Sequence, residues 1–339
     1  MKKLHMELGA LGYDITIGSG LLSRAGEFFN LDRRVFIVTD SGVPAEYARA
    51  VAASAKEAKI ITVSMGEGSK SLATLERVLM AMCDFKMTRG DCAVAVGGGV
   101  VGDLVGFAAA SYMRGIDFYN VPTTVLSEVD SSIGGKTAVN LGKVKNIVGA
   151  FHQPRAVLID TDTLKTLPRR QISNGLCEAV KMSLTSDAEL FSLFERLSYD
   201  EIIENIEDII VASLKIKKAV VEEDPTEKGK RKILNLGHTL GHGIEAEEEL
   251  SGLYHGECVA LGILPMVSDE VRARVLPVLK KLGLPTEYKG DTLAAVKFAA
   301  HDKKSVEGGV SAVLVDKIGE YEIRKMTLEE LEARALSVF

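Results

Sequence analysis

Three of the chain's six histidines fall in one short stretch: His238 and His242 in NLGHTLGHGIE, and His255 in YHGE. His238 and His242 are four apart, a spacing that stacks both imidazoles on one helix face. His255 stands just before another helical pattern. Zinc catalysis needs about three protein ligands and an open position. A carboxylate often completes such a set, and Glu178 in GLCEAVK is a candidate. Zincin helices share the spacing, but Thr239 stands where the metalloprotease glutamate would follow the first histidine. A lone core histidine is the bland reading of any one of the three; it does not explain the cluster.

A second constellation is glycine-rich. Gly97-Gly98-Gly99-Val100-Val101-Gly102 fits G-x-G-x-x-G, with an apolar strand pattern before it and a helical one after. Glycines there let the backbone approach a pyrophosphate, and a helix N-terminus offers free N–H groups. A tight strand-to-helix turn accounts for the same glycines equally well. Asp40, and the segment Gly66-Glu67-Gly68-Ser69-Lys70, also end strand patterns, where ligands of open α/β sheets bind. Taken singly, Asp40 and Glu67 fit ordinary turn chemistry. Several cations sit among Gly, Ser or Asn: Arg114 in SYMRG, Lys136 in SSIGGK, and Lys145 beside Asn146. Such surroundings suit anion recognition, although any one of them also fits a solvated side chain. Lys217 and Arg231 flank the long helical stretch before the histidines and suit either a carboxylate or solvent.

These residues need elements to position them. The first half alternates strand and helix patterns: strands at Arg34–Thr39, Lys59–Met65 and Cys92–Val96, helices at Val43–Lys56, Leu72–Phe85 and Val100–Tyr112. Such βαβα order predicts a parallel sheet covered by helices. From about Arg169 helical periodicity dominates, at Gln171–Thr185, Ala188–Leu197, Glu201–Val221, Ile233–Glu249, Cys258–Val267, Val271–Leu282 and Leu293–Ala300. Strand patterns return at Ser311–Val315 and Glu320–Ile323. The expectation is an α/β N-terminal domain with a parallel Rossmann-like sheet over residues 1–165, and a mostly α-helical domain over 166–339. If one helix carries Arg231, Asn235 and His238, all three face one pocket.

Bulk properties exclude several classes. A 339-residue chain, 46% hydrophobic and 26% charged, suits two globular domains. A net charge of -6 and a pI of about 5.7 argue against a nucleic-acid binder. Cys83, Cys92, Cys177 and Cys258 form no C-x-x-C pair and read as reduced structural thiols. The start, MKKLHMELGALGYD, lacks the apolar core of a signal peptide, and no apolar run approaches membrane-spanning length. The expectation is a cytoplasmic protein with neither nucleic acid nor membrane as partner.

The strings GGGVVGDLVGFAAASYMRG, VPTTVLSEVDSSIGGKTAVN, KNIVGAFHQP, LNLGHTLGHGIEAE and HGECVALG resemble the hallmark blocks of the 3-dehydroquinate synthases, in the family's order and over nearly the whole chain. These are sugar phosphate cyclases, whose two-domain fold is shared with iron-dependent alcohol and glycerol dehydrogenases. The resemblance implies NAD and Zn2+ (or Co2+) as cofactors and a homodimer. It implies conversion of 3-deoxy-D-arabino-heptulosonate 7-phosphate to 3-dehydroquinate and phosphate, by transient oxidation, β-elimination, re-reduction and aldol closure. This is a lyase step of the shikimate pathway to the aromatic amino acids.

By that resemblance the metal ligands are Glu178, His238 and His255, and His242 becomes a catalytic group near the phosphate. Glu227 takes acid/base work, with Lys136, Asn146 and Arg114 at the phosphate. Substrate contacts fall on Asp130, Asn174, Lys181, Lys217, Arg231 and Asn235, and on Lys303 or Lys304. NAD contacts fall on Asp40, Glu67, Gly68, Ser69, Lys70, Gly98, Gly99, Val100, Asp103, Thr123, Thr124, Lys145, Thr163, Leu164, Lys165 and Thr166. The region between Met266 and Lys280 is shorter than is usual for the family, which bears on packing and dimer contacts. The rival readings are another cyclase, such as 2-deoxy-scyllo-inosose synthase, whose substrate lacks a carboxylate; a metal-dependent polyol or glycerol phosphate dehydrogenase; and a non-catalytic metal- or nucleotide-binding module.

Overall fold

The computed structural model describes residues 1–142, 144–247, 252–302 and 309–339. The chain divides into two compact units, Met1–Leu167 and Pro168–Phe339.

The first unit is built on β1 (Lys2–Met6), β2 (Tyr13–Gly18), β3 (Arg34–Asp40), α1 (Ala45–Ala52), β4 (Glu57–Val63), α2 (Leu72–Asp84), β5 (Cys92–Gly97), α3 (Gly99–Ser111), β6 (Asp117–Pro122), β7 (Lys136–Leu141), β8 (Val144–Phe151) and β9 (Ala156–Asp160). Seven strands form one sheet in the order β1-β2-β9-β6-β5-β3-β4. All neighbours pair in parallel except β1 with β2. The inner strand β5, CAVAVG, is buried along its whole length, as a sheet covered on both faces requires. Its pleat divides the side chains. Ala93 and Ala95, with Phe36 and Val38 of β3, join α2 and α3 in one core. Cys92, Val94 and Val96, with Val35 and Ile37, join α1 in the other. Each run of alternating small and branched residues therefore serves two cores. The hairpin β7–β8 stands apart from the sheet.

The second unit holds α4 (Arg169–Ser186), α5 (Ala188–Arg196), α6 (Tyr199–Glu204), α7 (Ile206–Glu223), α8 (His238–Glu247), α9 (His255–Ile263), α10 (Asp269–Leu282), α11 (Thr292–Asp302), the antiparallel pair β10 (Val310–Leu314) and β11 (Glu322–Met326), and α12 (Leu328–Leu336). Helix α4 is buried without a break from Ser173 to Thr185, so it forms the unit's centre. Among the described residues no helix is long and apolar enough to cross a membrane.

Several elements differ from the sequence reading. β1 and β2 precede the first expected strand, and β6 and β9 complete the sheet. The helix expected over 201–221 is two, divided at Asn205. The helix expected over 233–249 does not form as one. A 3-10 segment, Lys230–Asn235, ends before Gly237, whose φ of +76° turns the chain into α8. Arg231 and Asn235 therefore do not share a helix with His238, which corrects the one-helix expectation.

Candidate metal and cofactor sites

In the second unit Glu178 comes from the middle of α4 and is fully buried. His238 and His255 are the first residues of α8 and α9. Each helix start is fixed locally. The turn at Gly237 admits no side chain, since a Cβ there would lie 2.7 Å from Ile263 and 2.8 Å from the Val259 carbonyl. Asn174 Oδ1 accepts from the Gly256 N–H at 2.6 Å, tying the first turn of α9 to α4. Arg170 adds a two-pronged ion pair to Glu257, at 2.6 and 2.7 Å.

The Nε2 atoms of His238 and His255 lie 3.7 and 3.6 Å from Glu178 Oε1. Ligands about 2.0–2.2 Å from a tetrahedral ion stand roughly 3.3–3.6 Å apart. His238 Nδ1 lies 3.2 Å from the Leu236 carbonyl; as a donor there it leaves Nε2 as the free lone pair. Both Glu178 oxygens are sealed from solvent without a hydrogen bond of sound geometry, although the Lys181 ammonium sits on Oε2. A buried carboxylate so placed calls for a cation. Burial pushes the Glu178 carboxyl up, but Lys181 and His255 outweigh it and hold it at about 2. Burial likewise pushes the His255 imidazole down, while Glu178 and Glu245 drive it to about 10. His242, Glu245 and His255 form a second group of compatible spacing. There Glu245 meets the other nitrogen of His255, Nδ1, at 3.6 Å, which suits a carboxylate that orients a ligand. His242 packs edge-on to His238, with ring centres 5.3 Å apart.

Three of the other expected residues of this unit are buried cations. Lys181 is 1% exposed, Lys217 6% and Arg231 2%. Arg231 Nη1 donates to the Pro225 carbonyl at 2.8 Å, so it is no solvated helix-end arginine. Asn235 Nδ2 donates to Glu227 Oε1 at 2.9 Å, and Glu227 adopts a left-handed φ of 59°. Asn174 commits its carbonyl oxygen to α9, leaving its NH2 for any ligand. Lys303 and Lys304 lie outside the described residues.

In the first unit the expected cofactor residues follow the carboxyl ends of five parallel strands. Asp40 ends β3; Glu67, Gly68, Ser69 and Lys70 follow β4; Gly98, Gly99 and Val100 follow β5; Thr123 and Thr124 follow β6; Thr163, Leu164, Lys165 and Thr166 follow β9. This is the edge at which open α/β sheets bind ligands. The glycine loop lies against the next strand end, with Thr123 N–H donating to the Gly97 carbonyl at 3.1 Å. The Lys70 ammonium meets both Asp103 on α3 and Asn146 on β8. Lys145 also lies on β8. Lys136 is exposed at the start of β7, and Asp130 lies in a single π turn, Ser127–Ser131. Arg114 is exposed, and both it and Met113 have left-handed φ values of 69° and 49°. Two such adjacent residues store strain of order 1–3 kcal/mol each, a feature of ligand-gripping loops.

Sequence reasoning missed two residues here. Glu128 is fully buried, with Oε1 accepting from Thr163 Oγ1 at 3.1 Å. Burial, opposed by Thr163 and aided by Asp160, pushes its carboxyl well above the usual range. The signal was an acid inside the apolar run VLSEV. Asn140 also bonds across the site, and nothing in its surroundings singled it out.

Residues 60–174 match the family model of the 3-dehydroquinate synthase N-terminal domain, and residues 175–305 that of its C-terminal domain. A 3-dehydroquinate synthase of Enterococcus faecalis is 40% identical, covering 98% of each chain. The chain belongs to the 3-dehydroquinate synthase family. A relative from Clostridium botulinum, also a 3-dehydroquinate synthase, is 38% identical over 97% of this chain and 99% of its own. Solved cyclases share the family's fold. A 2-deoxy-scyllo-inosose synthase, complexed with carbaglucose-6-phosphate, NAD+ and Co2+, superposes with a TM-score of 0.89 at 26% identity over 100% of both chains. A 2-epi-5-epi-valiolone synthase of Streptomyces hygroscopicus subsp. jinggangensis, with NAD+ and Zn2+ bound, gives 0.88 at 28% identity over 96% of both. A probable glycerol dehydrogenase of Sinorhizobium meliloti shares the fold alone, at 16% identity and a TM-score of 0.63 over 96% of this chain and 95% of its own.

Proposed function

We propose that this chain is a lyase that converts 3-deoxy-D-arabino-heptulosonate 7-phosphate to 3-dehydroquinate and phosphate. The observation that carries the reading is the sealed Glu178 carboxylate facing two imidazole nitrogens, on a helix that also buries Lys181. Glu178, His238 and His255 would hold a divalent ion, which lowers the pKa of the substrate hydroxyl to be oxidised and leaves a position for it. The strand-end segments of the first unit would hold NAD, which would supply a reversible hydride acceptor.

The chain's own residues do the rest. Oxidation of the hydroxyl acidifies the neighbouring C–H, and phosphate leaves by β-elimination. Lys136, Asn146 and Arg114 hold that phosphate, with His242 beside it. Lys181 and Lys217 are buried ammonium groups, and Arg231 is a planar fork suited to the substrate carboxylate. Asn235 and Glu227, bonded to each other, can move a proton at the substrate hydroxyls. The ketone is then reduced again, the ring opens, and the aldol step closes the carbocycle. Holding one flexible intermediate through these steps is the main task.

One assay tests this. Protein, Zn2+, the heptulosonate phosphate and substoichiometric NAD should release phosphate without accumulating NADH. A 2-deoxy-scyllo-inosose synthase would leave that acid untouched and act on a sugar phosphate without a carboxylate. We also infer a cytoplasmic homodimer. Leu141, Val144, Ile147 and Phe151 of the β7–β8 hairpin are each at least half exposed, and a second copy would cover them.

A further inference from the structure

We propose that Asn140 is a positioning residue that joins the cofactor segment after β4 to the phosphate-contacting Asn146. Asn140 stands near the end of β7, where the β7–β8 register shifts between Val139 and Leu141. It is partly buried and makes three hydrogen bonds, each toward a different part of the site. Its backbone N–H donates to the Lys70 carbonyl at 2.8 Å. Its side-chain NH2 donates to Glu67 Oε1 at 2.8 Å. Its side-chain oxygen accepts from the Asn146 N–H at 2.9 Å.

These bonds close a ring. Lys70, held through its carbonyl by Asn140, sends its ammonium back to Asn146 Oδ1 and to Asp103 on α3. Asn146 is thus gripped twice, at its backbone by Asn140 and at its side chain by Lys70. It needs the grip: its φ is 55°, a left-handed conformation that asparagine tolerates but does not prefer. An amide is the side chain for this position, because it must donate to a carboxylate on one side and accept from an N–H on the other. Aspartate keeps the acceptor and loses the donor, and it sets two carboxylates against each other. Alanine loses both bonds.

The inference rests on the reading above, in which Glu67 to Lys70 contact NAD and Asn146 contacts the substrate phosphate. On that reading Asn140 links cofactor binding to substrate binding. Its two side-chain bonds serve different ligands, so the variants should separate them. In Asn140→Asp the NAD KM should rise about tenfold or more while the KM for the heptulosonate phosphate stays within about twofold of wild type. In Asn140→Ala both KM values should rise about tenfold, with Tm close to wild type because the site lies on a partly exposed hairpin. The assay is steady-state phosphate release by the zinc-loaded full chain, with NAD and substrate varied in turn. Both KM values within twofold of wild type in Asn140→Ala would overturn the proposal. So would equal effects of the two variants on both KM values accompanied by a common fall in Tm, the signature of a merely structural residue. If the wild-type protein itself releases no phosphate, the functional reading fails. The Asn140 proposal then stands or falls on NAD titration of the same variants, which should bind NAD about tenfold more weakly than wild type.

Discussion

Arg231 shows how far residue type and burial together reach. It is sealed to 2% exposure, beyond what a solvated cation allows, and its Nη1 donates to the Pro225 carbonyl at 2.8 Å. Arg231→Lys keeps the charge and loses the planar geometry. kcat/KM should fall by about one to two decades while Zn2+ and NAD affinity stay near normal. Wild-type kinetics would remove the carboxylate role and reopen the cyclases that act on sugar phosphates without a carboxylate. His238→Ala and His255→Ala should each lose tight metal binding and phosphate release together. Metal analysis showing a full equivalent in both would refute the ligand set. Glu128 supports a prediction about pH. Its folded-state pKa is raised, so the native chain holds a proton that the unfolded chain gives up above about 4.5. Stability from this group is full below that value and is lost as pH rises. Glu128→Gln, which stays neutral, should therefore stabilise the cofactor-free protein more at pH 8 than at pH 5. The gain should grow by at most about 1.4 kcal/mol per pH unit, read from urea unfolding. A gain independent of pH would mean that Glu128 is ionised in the fold.

At the scale of elements, the sequence makes β3, β4 and β5 legible and hides β1, β2, β6 and β9. β3 and β5 are continuous apolar runs because both sheet faces are covered. β1, KKLHM, alternates charged and apolar residues as an edge strand does, and β6 ends in proline, so neither stands out. The break at Gly237 is hidden for a different reason. Helical spacing of apolar residues continues across LNLGHTLGH, and only a left-handed backbone marks the division. Spacing likewise presents His238 and His242 as equivalent. What separates them is Glu178, supplied by α4 from far earlier in the chain, which no local pattern can register. The family resemblance supplied that choice before any geometry did. Gly237→Ala tests the turn. A left-handed alanine costs about 1–2 kcal/mol, and the clash with Ile263 and the Val259 carbonyl adds about 1–3 more. Destabilisation of roughly 2–5 kcal/mol, with weakened metal binding, is expected in chemical denaturation; a wild-type midpoint would show that the turn is not needed.

At the scale of the molecule, the helical unit carries the proposed metal ligands and the buried cations, and the α/β unit carries the strand-end segments proposed for NAD. The β7–β8 hairpin exposes apolar side chains, which the proposed homodimer would cover. Ile147→Lys should shift sedimentation toward monomer at micromolar concentration, and an unchanged dimer would place the interface elsewhere. The proposed reaction is a redox cycle with no net redox change. The most direct measurement follows phosphate release and absorbance of reduced cofactor in one cuvette, with Zn2+, excess heptulosonate phosphate and NAD far below the substrate concentration. Many phosphates should be released per NAD, with 3-dehydroquinate as product and no accumulation of NADH. Reduced cofactor rising in step with product, or phosphate release that stops after one equivalent of NAD, would contradict the proposed cycle.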